Sequence, residues 1–261
     1  MKWIDGLPFL IVFVLATVIT TIRYIAFAGA AYYLVWKKGK DRLAHRLIQG
    51  KLPEFQKIKH EVLYSLSTMV VFGLVGVLIF WAKKNGYAKI YDDISEKGIP
   101  YLFFSLLALI LFHDFYFYCT HRFMHWKPIF KHVHLVHHKS TNPSPWAAFA
   151  FHPYEAVIEA GVVPIFILFV PVHNLTIVLF LVYMTFLNVL GHLAFELFPK
   201  GFVGSKWTGW HNTTTHHNMH HKWFHCNYGL YFNWWDKIFG TNHKDYQKQF
   251  DEITERPLFI K

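Results

Sequence analysis

Nineteen of the 261 residues are histidines, and many fall into spaced groups. Residues 121–140, HRFMHWKPIFKHVHLVHHKS, hold six histidines in twenty positions. His121 and His125 are four apart. His134, His137 and His138 form an HxxHH group, and His217, His220 and His221 repeat it within THHNMHH. His192 stands alone in NVLGHLAFE. On a helix, residues three and four apart share a face, so each HxxHH group is predicted to converge three imidazoles from one turn. Neutral imidazole is the commonest side-chain metal ligand and suits zinc, copper, iron and nickel. A tetrahedral zinc takes four ligands. Two HxxHH groups, an HxxxH pair and His192 exceed that and argue for two metals close together.

A lone histidine in an apolar segment is ordinarily a hydrogen-bonded structural residue, which is the reading for His45, His60 and His173. Structural use alone does not explain the repeated groups, and their aromatic surroundings are unlike a disordered metal-binding tract. His132, His211, His216 and His225 lie near the groups but off the pattern, as supporting or surface residues. His113 falls roughly on the face of His121, and His152 sits in FHPYE; both are candidates for supporting the ligands. Metal-bound histidines donate their second ring N–H to a carboxylate or carbonyl. Asp114, Glu155 and Glu196 are predicted to fill that role. Glu159 is read as one half of a buried pair with a basic residue, and Asp236 as either a further acid near the ligands or a helix-end cap.

These residues need elements to hold them, and the composition points to membrane helices. The chain is 54% hydrophobic and 20% aromatic, but only 16% charged, against about 25% in soluble domains. Residues 7–36 are apolar around the single charge of Arg23. Residues 62–82 form a clean run of the length, about 20 residues, that crosses a bilayer. Residues 99–112 are apolar and continue as aromatic helix to His121. Residues 156–198 are apolar apart from Glu159, His173 and His192, with Pro171 marking a tight turn. The predicted fold is an all-α integral membrane protein: three transmembrane helices, a membrane helical hairpin, and a cytoplasmic helical cap holding a histidine-rich dinuclear metal site. The expected division is an anchor with a basic loop over 1–112, a histidine-rich catalytic region over 113–245 that includes the 156–198 hairpin, and a C-terminal tail over 246–261.

Basic residues set the orientation. Residues 37–60 carry eight Lys and Arg against Asp41 and Glu54, and are expected on the cytoplasmic side. Residues 83–100 are nearly balanced and are expected opposite. Every histidine group then lies on the cytoplasmic side. The net charge of +10 follows from this bias and from lipid headgroup contact. No recognition module for nucleic acid is present. The first apolar segment is longer than a signal peptide and is read as a retained anchor. Cys119 and Cys226 show neither disulfide nor zinc-ribbon spacing.

The ordered set HRFMH, HLVHH, FHPYE, GHLAFELFP and HHNMHH, followed by NYG and WWDKIFGT, resembles the fatty acid hydroxylase and sterol desaturase superfamily. The resemblance covers roughly residues 113–241. It implies a membrane-bound enzyme with a dinuclear site ligated by His121, His125, His134, His137, His138, His192, His217, His220 and His221. Some members carry a further histidine four residues before the isolated one. Here that position is Asn188, which sets the chain apart from the fatty acid 2-hydroxylase branch and leaves Asn188 as a supporting residue. The fused heme domain of some members is not seen, so a separate electron donor is expected.

Oxidising an unactivated C–H bond needs a cofactor, which the protein positions and shields. The expectation is two iron ions with O2 as co-substrate, hydroxylating or desaturating a lipid; zinc can replace iron in purified protein. Tyr118, Trp146, Phe149 and Phe151, with Tyr116 and Phe117, are expected to wall the lipid site. The partners are the lipid, the membrane, and a ferredoxin or cytochrome-b5-like donor with its reductase. The location is a bacterial inner membrane, or endoplasmic reticulum in a eukaryote. The alternatives are a zinc-dependent membrane hydrolase, against which the HExxH motif is absent, a metal transporter, and a non-enzymatic metal-binding or heme-anchoring protein. A transporter places its ligands along a path through the membrane, whereas these cluster at one face.

Overall fold

The computed structural model of the chain describes residues 6–257. The outer ends of the expected anchor and tail, 1–5 and 258–261, lie outside the described residues. Among the described residues, four helices are long and apolar enough to cross a membrane: α1 (Phe9–Ala31), which runs on as a π-helix over Tyr32–Lys38, α2 (Phe55–Lys84), α3 (Gly98–Met124) and α8 (Asn174–Gly191). Leu10, Val14, Ile19 and Ile22 of α1 are exposed, as lipid-facing side chains are. Helix packing among apolar tails relies on small residues that let backbones approach. Gly73 and Gly76 of α2 do this against α1; a Cβ on Gly76 would come 2.8 Å from that of Ala16.

The expected hairpin over 156–198 is present but differs at three places. Its first arm is broken into α6 (Pro153–Ala160) and α7 (Val162–Phe169). Pro164 has no N–H to bond the Ala160 carbonyl, and a proline in the interior of one continuous arm would also clash with that carbonyl, which favours such a break; at the start of a new helix it is tolerated. A side chain at Gly161 would meet the Tyr116 hydroxyl at 2.7 Å, and that hydroxyl donates to the Ile158 carbonyl at 2.6 Å. The second arm, α8, ends at Gly191, and residues 192–198 are irregular. They pair instead with the basic loop: Ile48 N–H donates to Ala194 O at 3.0 Å and Glu196 N–H to Arg46 O at 3.0 Å. The tip forms β2 (Val172–His173), which pairs in parallel with β1 (Ile90–Tyr91). His173 Nε2 donates to the Asp92 carbonyl at 2.9 Å. The tip therefore lies beside the loop joining α2 to α3.

At the other end of α3 sits a helical cap. Residues 126–131 are mostly helix: Trp126 is extended, Pro128 lies in the first turn of α4 (Lys127–Val133), and α5 (Leu135–His138) follows directly. The cap is completed by α9 (Thr214–Trp223), α10 (Trp234–Ile238) and α11 (Tyr246–Thr254). The basic loop closes over it. Gln49 Nε2 donates to Thr141 O at 2.8 Å and Asn218 Oδ1 at 2.9 Å, and Arg256 Nη1 donates to Leu47 O at 2.7 Å.

Candidate metal centre

The last turn of α3 delivers His121 and His125, the α4–α5 junction His134, α5 His137 and His138, the end of α8 His192, and α9 His217, His220 and His221. One ring nitrogen from each of His121, His125, His134, His138 and His220 lies within 4.8 Å of the others, and the same holds for His137, His192, His217 and His221. The two groups adjoin, with the His138 and His221 ring centres 4.9 Å apart.

The sequence predicts that each HxxHH group converges on one point. The structure divides both. Residues four apart on a helix differ by about 40° and residues three apart by about 60° in the opposite sense. A helix wedged between two centres therefore gives its i and i+4 side chains to one and its i+3 side chain to the other. His134 and His138 join the first group and His137 the second. His217 and His221 join the second and His220 the first. The α5 and α9 segments thus form a shared wall, each contributing two rings to one side and one to the other.

Ring nitrogens meet across each group. Nε2 separations are 3.1 Å for His121–His134, 3.0 Å for His125–His138 and 3.1 Å for His138–His220. In the second group they are 3.4 Å for His137–His192, 3.0 Å for His192–His217 and 3.1 Å for His217–His221. The opposite edges explain what these nitrogens carry. Nδ1–H of His121 donates to Tyr228 O at 2.9 Å, of His192 to Asn188 O at 2.7 Å, of His220 to Cys226 O at 2.7 Å and of His221 to Ser140 O at 2.9 Å. A carbonyl only accepts, so the proton sits on Nδ1 and the Nε2 lone pair faces inward. Burial, the larger cause, and neighbouring imidazoles hold His134, His137, His138, His217, His220 and His221 well below the usual histidine range. Neutral rings with facing lone pairs repel one another unless a cation lies between. Ligands about 2.1 Å from a metal stand about 3.0 Å apart at right angles and about 3.4 Å apart at tetrahedral angles. The donor set fits two such ions.

Several segments lock this geometry. Glu196 accepts from Thr215 N–H at 2.9 Å and its hydroxyl at 2.7 Å, which caps the positive start of α9. Phe224 ends α9 in a left-handed conformation, φ 68°, and Asn227 follows at φ 58°. The chain thereby doubles back to offer the Cys226 and Tyr228 carbonyls. Asp236 accepts from Tyr228 N–H and Gly229 N–H, each at 2.8 Å, and fixes that loop.

Residues 106–241 match the fatty acid hydroxylase family, and this stretch contains all nine histidines. The chain belongs to the fatty acid hydroxylase family. It is 30% identical to the Delta(7)-sterol 5(6)-desaturase ERG3B of Gibberella zeae over 89% of this chain and 68% of that protein. It is 27% identical to the Delta(7)-sterol 5(6)-desaturase erg3C of Aspergillus fumigatus over 88% of this chain and 75% of that one. It is 28% identical to the lathosterol oxidase of Homo sapiens over 84% and 70%. No solved structure matches the chain. As a member of this family with four membrane-length apolar helices, it is an integral membrane oxidoreductase that oxidises a C–H bond of a lipid.

Within the family frame, the expected supporting residues divide. Glu155 Oε1 lies 2.7 Å from His134 Nδ1. Asn188 supports His192 through its main-chain carbonyl, while its amide donates to Ala148 O at 2.6 Å. Asp114 touches no clustered histidine. It accepts from the N–H groups of Tyr231 and Phe232 at 2.9 and 3.2 Å and from the Trp235 indole at 3.0 Å, and so anchors the loop beyond Tyr228. Glu196 likewise acts on α9 and on Phe198 N–H, 2.9 Å away, rather than on a ring. His113 meets the Tyr231 hydroxyl at 2.8 Å, and His152 caps α6 from a half-exposed position. Asp236 caps the 228–229 loop, not its own helix. Tyr228, Cys226 and Ser140 were beyond sequence reasoning, because they act through carbonyls that any residue type possesses.

The lipid wall is also partly different. A cavity of about 250 Å³ lies among α1, α2, α3, α6, α7 and α8 and is lined by Phe149 and Phe151. Phe151 packs on His137 with ring centres 5.3 Å apart, and Phe117, also on the wall, packs on His121 at 4.8 Å. Tyr118 and Trp146 are not on this wall. Tyr118 stacks on Phe239 at 5.4 Å and bonds the Thr241 hydroxyl at 3.0 Å, within the cap. Trp146 packs edge-on to Tyr24 at 5.7 Å, and its carbonyl accepts from Tyr24 and Ser65. The sequence marks these residues as aromatic, but only packing decides which side of the backbone each ring faces.

Proposed function

We propose that the chain desaturates a ring lipid of the sterol kind, using O2 and two irons held by the nine histidines. The carrying observation is the pair of buried imidazole groups behind Phe151 and Phe117, which separate them from an apolar cavity. The names of the relatives favour desaturation over hydroxylation. Irons bound there would supply the O2-derived oxidant that an unactivated C–H bond requires.

The chain's own residues supply position and exclusion. Tyr228, Cys226, Ser140 and Asn188 hold ring protons on Nδ1, so the inward Nε2 atoms stay free to bind metal. Phe117, Phe149 and Phe151 keep water from the reacting carbons and present a flat apolar wall to a ring system. The overall balance removes two hydrogens from adjacent carbons and reduces O2 to two waters. The substrate supplies two of the four electrons, and a separate carrier supplies the other two. The basic loop over residues 37–60 packs on the histidine cap, which supports a cytoplasmic site and an acidic ferredoxin or cytochrome-b5-like donor docking there. The same packing supports reading 113–245 as a catalytic unit on the anchor of 1–112, with 246–261 as its tail.

The test compares the lipids of cells with and without the protein by mass. Loss of two mass units from a sterol-like lipid, dependent on O2 and on His137, is expected. A single tightly held zinc, with turnover needing neither O2 nor reductant, would overturn the reading.

A further inference from the structure

Two charged side chains reach the cavity wall, Arg23 of α1 and Glu159 of α6, and neither serves the histidine groups. The sequence predicts a buried partner for Glu159. Among the described residues it has none: Glu159 is 8% exposed and its Oε1 accepts no hydrogen bond. Arg23 Nε is also buried without an acceptor. No ion pair joins the two, although they line one cavity among phenylalanines and aliphatic residues. A buried polar atom left unpaired costs about 1–3 kcal/mol, more when charged, and ionisable residues at membrane depth are held for use.

We propose that Arg23 and Glu159 form a polar anchor for the hydroxyl of a neutral lipid alcohol bound in this cavity. The inference rests on the lipid-oxidising reading above and narrows its substrate class. A hydroxyl satisfies both orphans at once: its oxygen accepts from Arg23 Nε–H, and its proton is donated to Glu159 Oε1. An ether or ester oxygen accepts but cannot donate, which leaves Glu159 unpaired. A fatty carboxylate can pair with Arg23, but once ionised it donates nothing to Glu159 and sets a second carboxyl group beside it. The surrounding wall, including Phe72, Val75, Val163 and Met184, gives the carbon skeleton its apolar contacts. Held by its hydroxyl, a rigid alcohol would present one fixed region of its ring system to Phe151 and the histidines behind it.

The test measures equilibrium binding of radiolabelled cholesterol, cholesteryl methyl ether and the hydrocarbon cholestane to the full-length protein in lipid nanodiscs. Sites built to bond a hydroxyl discriminate strongly against analogues lacking it. The wild type should favour the alcohol over its ether by about tenfold or more. Glu159→Leu should bring that ratio near unity by weakening the alcohol alone, whereas Arg23→Met should weaken alcohol and ether together relative to cholestane, because both oxygens accept. Retained cholestane binding reports that the variants are folded, and Glu159→Gln, which keeps an accepting oxygen, should retain part of the preference. Equal binding of alcohol and ether by the wild type, no saturable binding, an unchanged preference in Glu159→Leu, or undiminished alcohol and ether binding in Arg23→Met would overturn the anchor. The oxidation reading is judged separately by O2-dependent mass changes in cell lipids, so each failure is recognisable on its own.

Discussion

His137 stands apart from its neighbours in HLVHH: it alone of the three faces the second group, against His192, His217 and His221. His220 is its counterpart in HNMHH. Removing either class of ring should therefore empty a different position. His137→Ala and His221→Ala should abolish turnover and lower bound metal toward one ion per chain, while His125→Ala should spare the second group; metal analysis of membrane-inserted protein reads this directly. Full activity in either of the first two would sink the ligand assignment. Glu155 holds His134 at 2.7 Å, and losing such an orienting partner typically costs 10–100-fold in metal affinity. Glu155→Ala should show a loss of about that size in competition with a chelator, with the helices still inserted.

At the scale of elements, the decisive object is the loop that follows α9. Its left-handed residues Phe224 and Asn227 fold it back, and Asp236 holds it by two main-chain N–H groups. Asp236 is fully buried, so Asp236→Ala leaves those donors unpaired, at a cost of about 1–3 kcal/mol each. The expected result is a lower melting temperature together with weaker metal retention, because the Cys226 and Tyr228 carbonyls would no longer be fixed. Wild-type metal retention in this variant would show that the loop does not set the rings. The α1–α2 seam offers a separate test. Gly76→Leu forces a large side chain against Ala16, and overpacking of this kind costs about 1–3 kcal/mol; detergent melting should fall while the metal content of folded protein is unchanged.

For the whole molecule, nine neutral imidazoles facing one another amount to a centre that is unfavourable without cations. Binding to the folded state alone stabilises it. Chelation should therefore lower the melting temperature, and restoring iron should raise it again, readable without turnover; a melting temperature indifferent to chelator would contradict the two-centre reading. Donor docking belongs to the same scale. The basic loop shares a side with the cap, so reduction by an acidic carrier should slow as salt rises, since exposed charges are screened within about 8–10 Å at physiological ionic strength. Salt-insensitive reduction would remove that surface from consideration.

The sequence by itself marked three membrane-length apolar runs, a hairpin and the nine histidines that the structure gathers into two groups, because hydropathy and helical spacing are local properties written in consecutive residues. It also singled out Glu155, which the structure sets in the first turn of α6, 2.7 Å from His134. Only the tertiary structure decided how the rings divide, five against four, since that depends on α5 and α9 being wedged between two centres. It likewise decided that Asp114 and Glu196 brace loops and helix starts rather than rings, that Tyr118 and Trp146 turn away from the cavity, and that Glu159 and Arg23 share a wall without pairing. Each of these depends on which distant segments meet, and on carbonyls and orphaned polar atoms that residue type alone does not reveal.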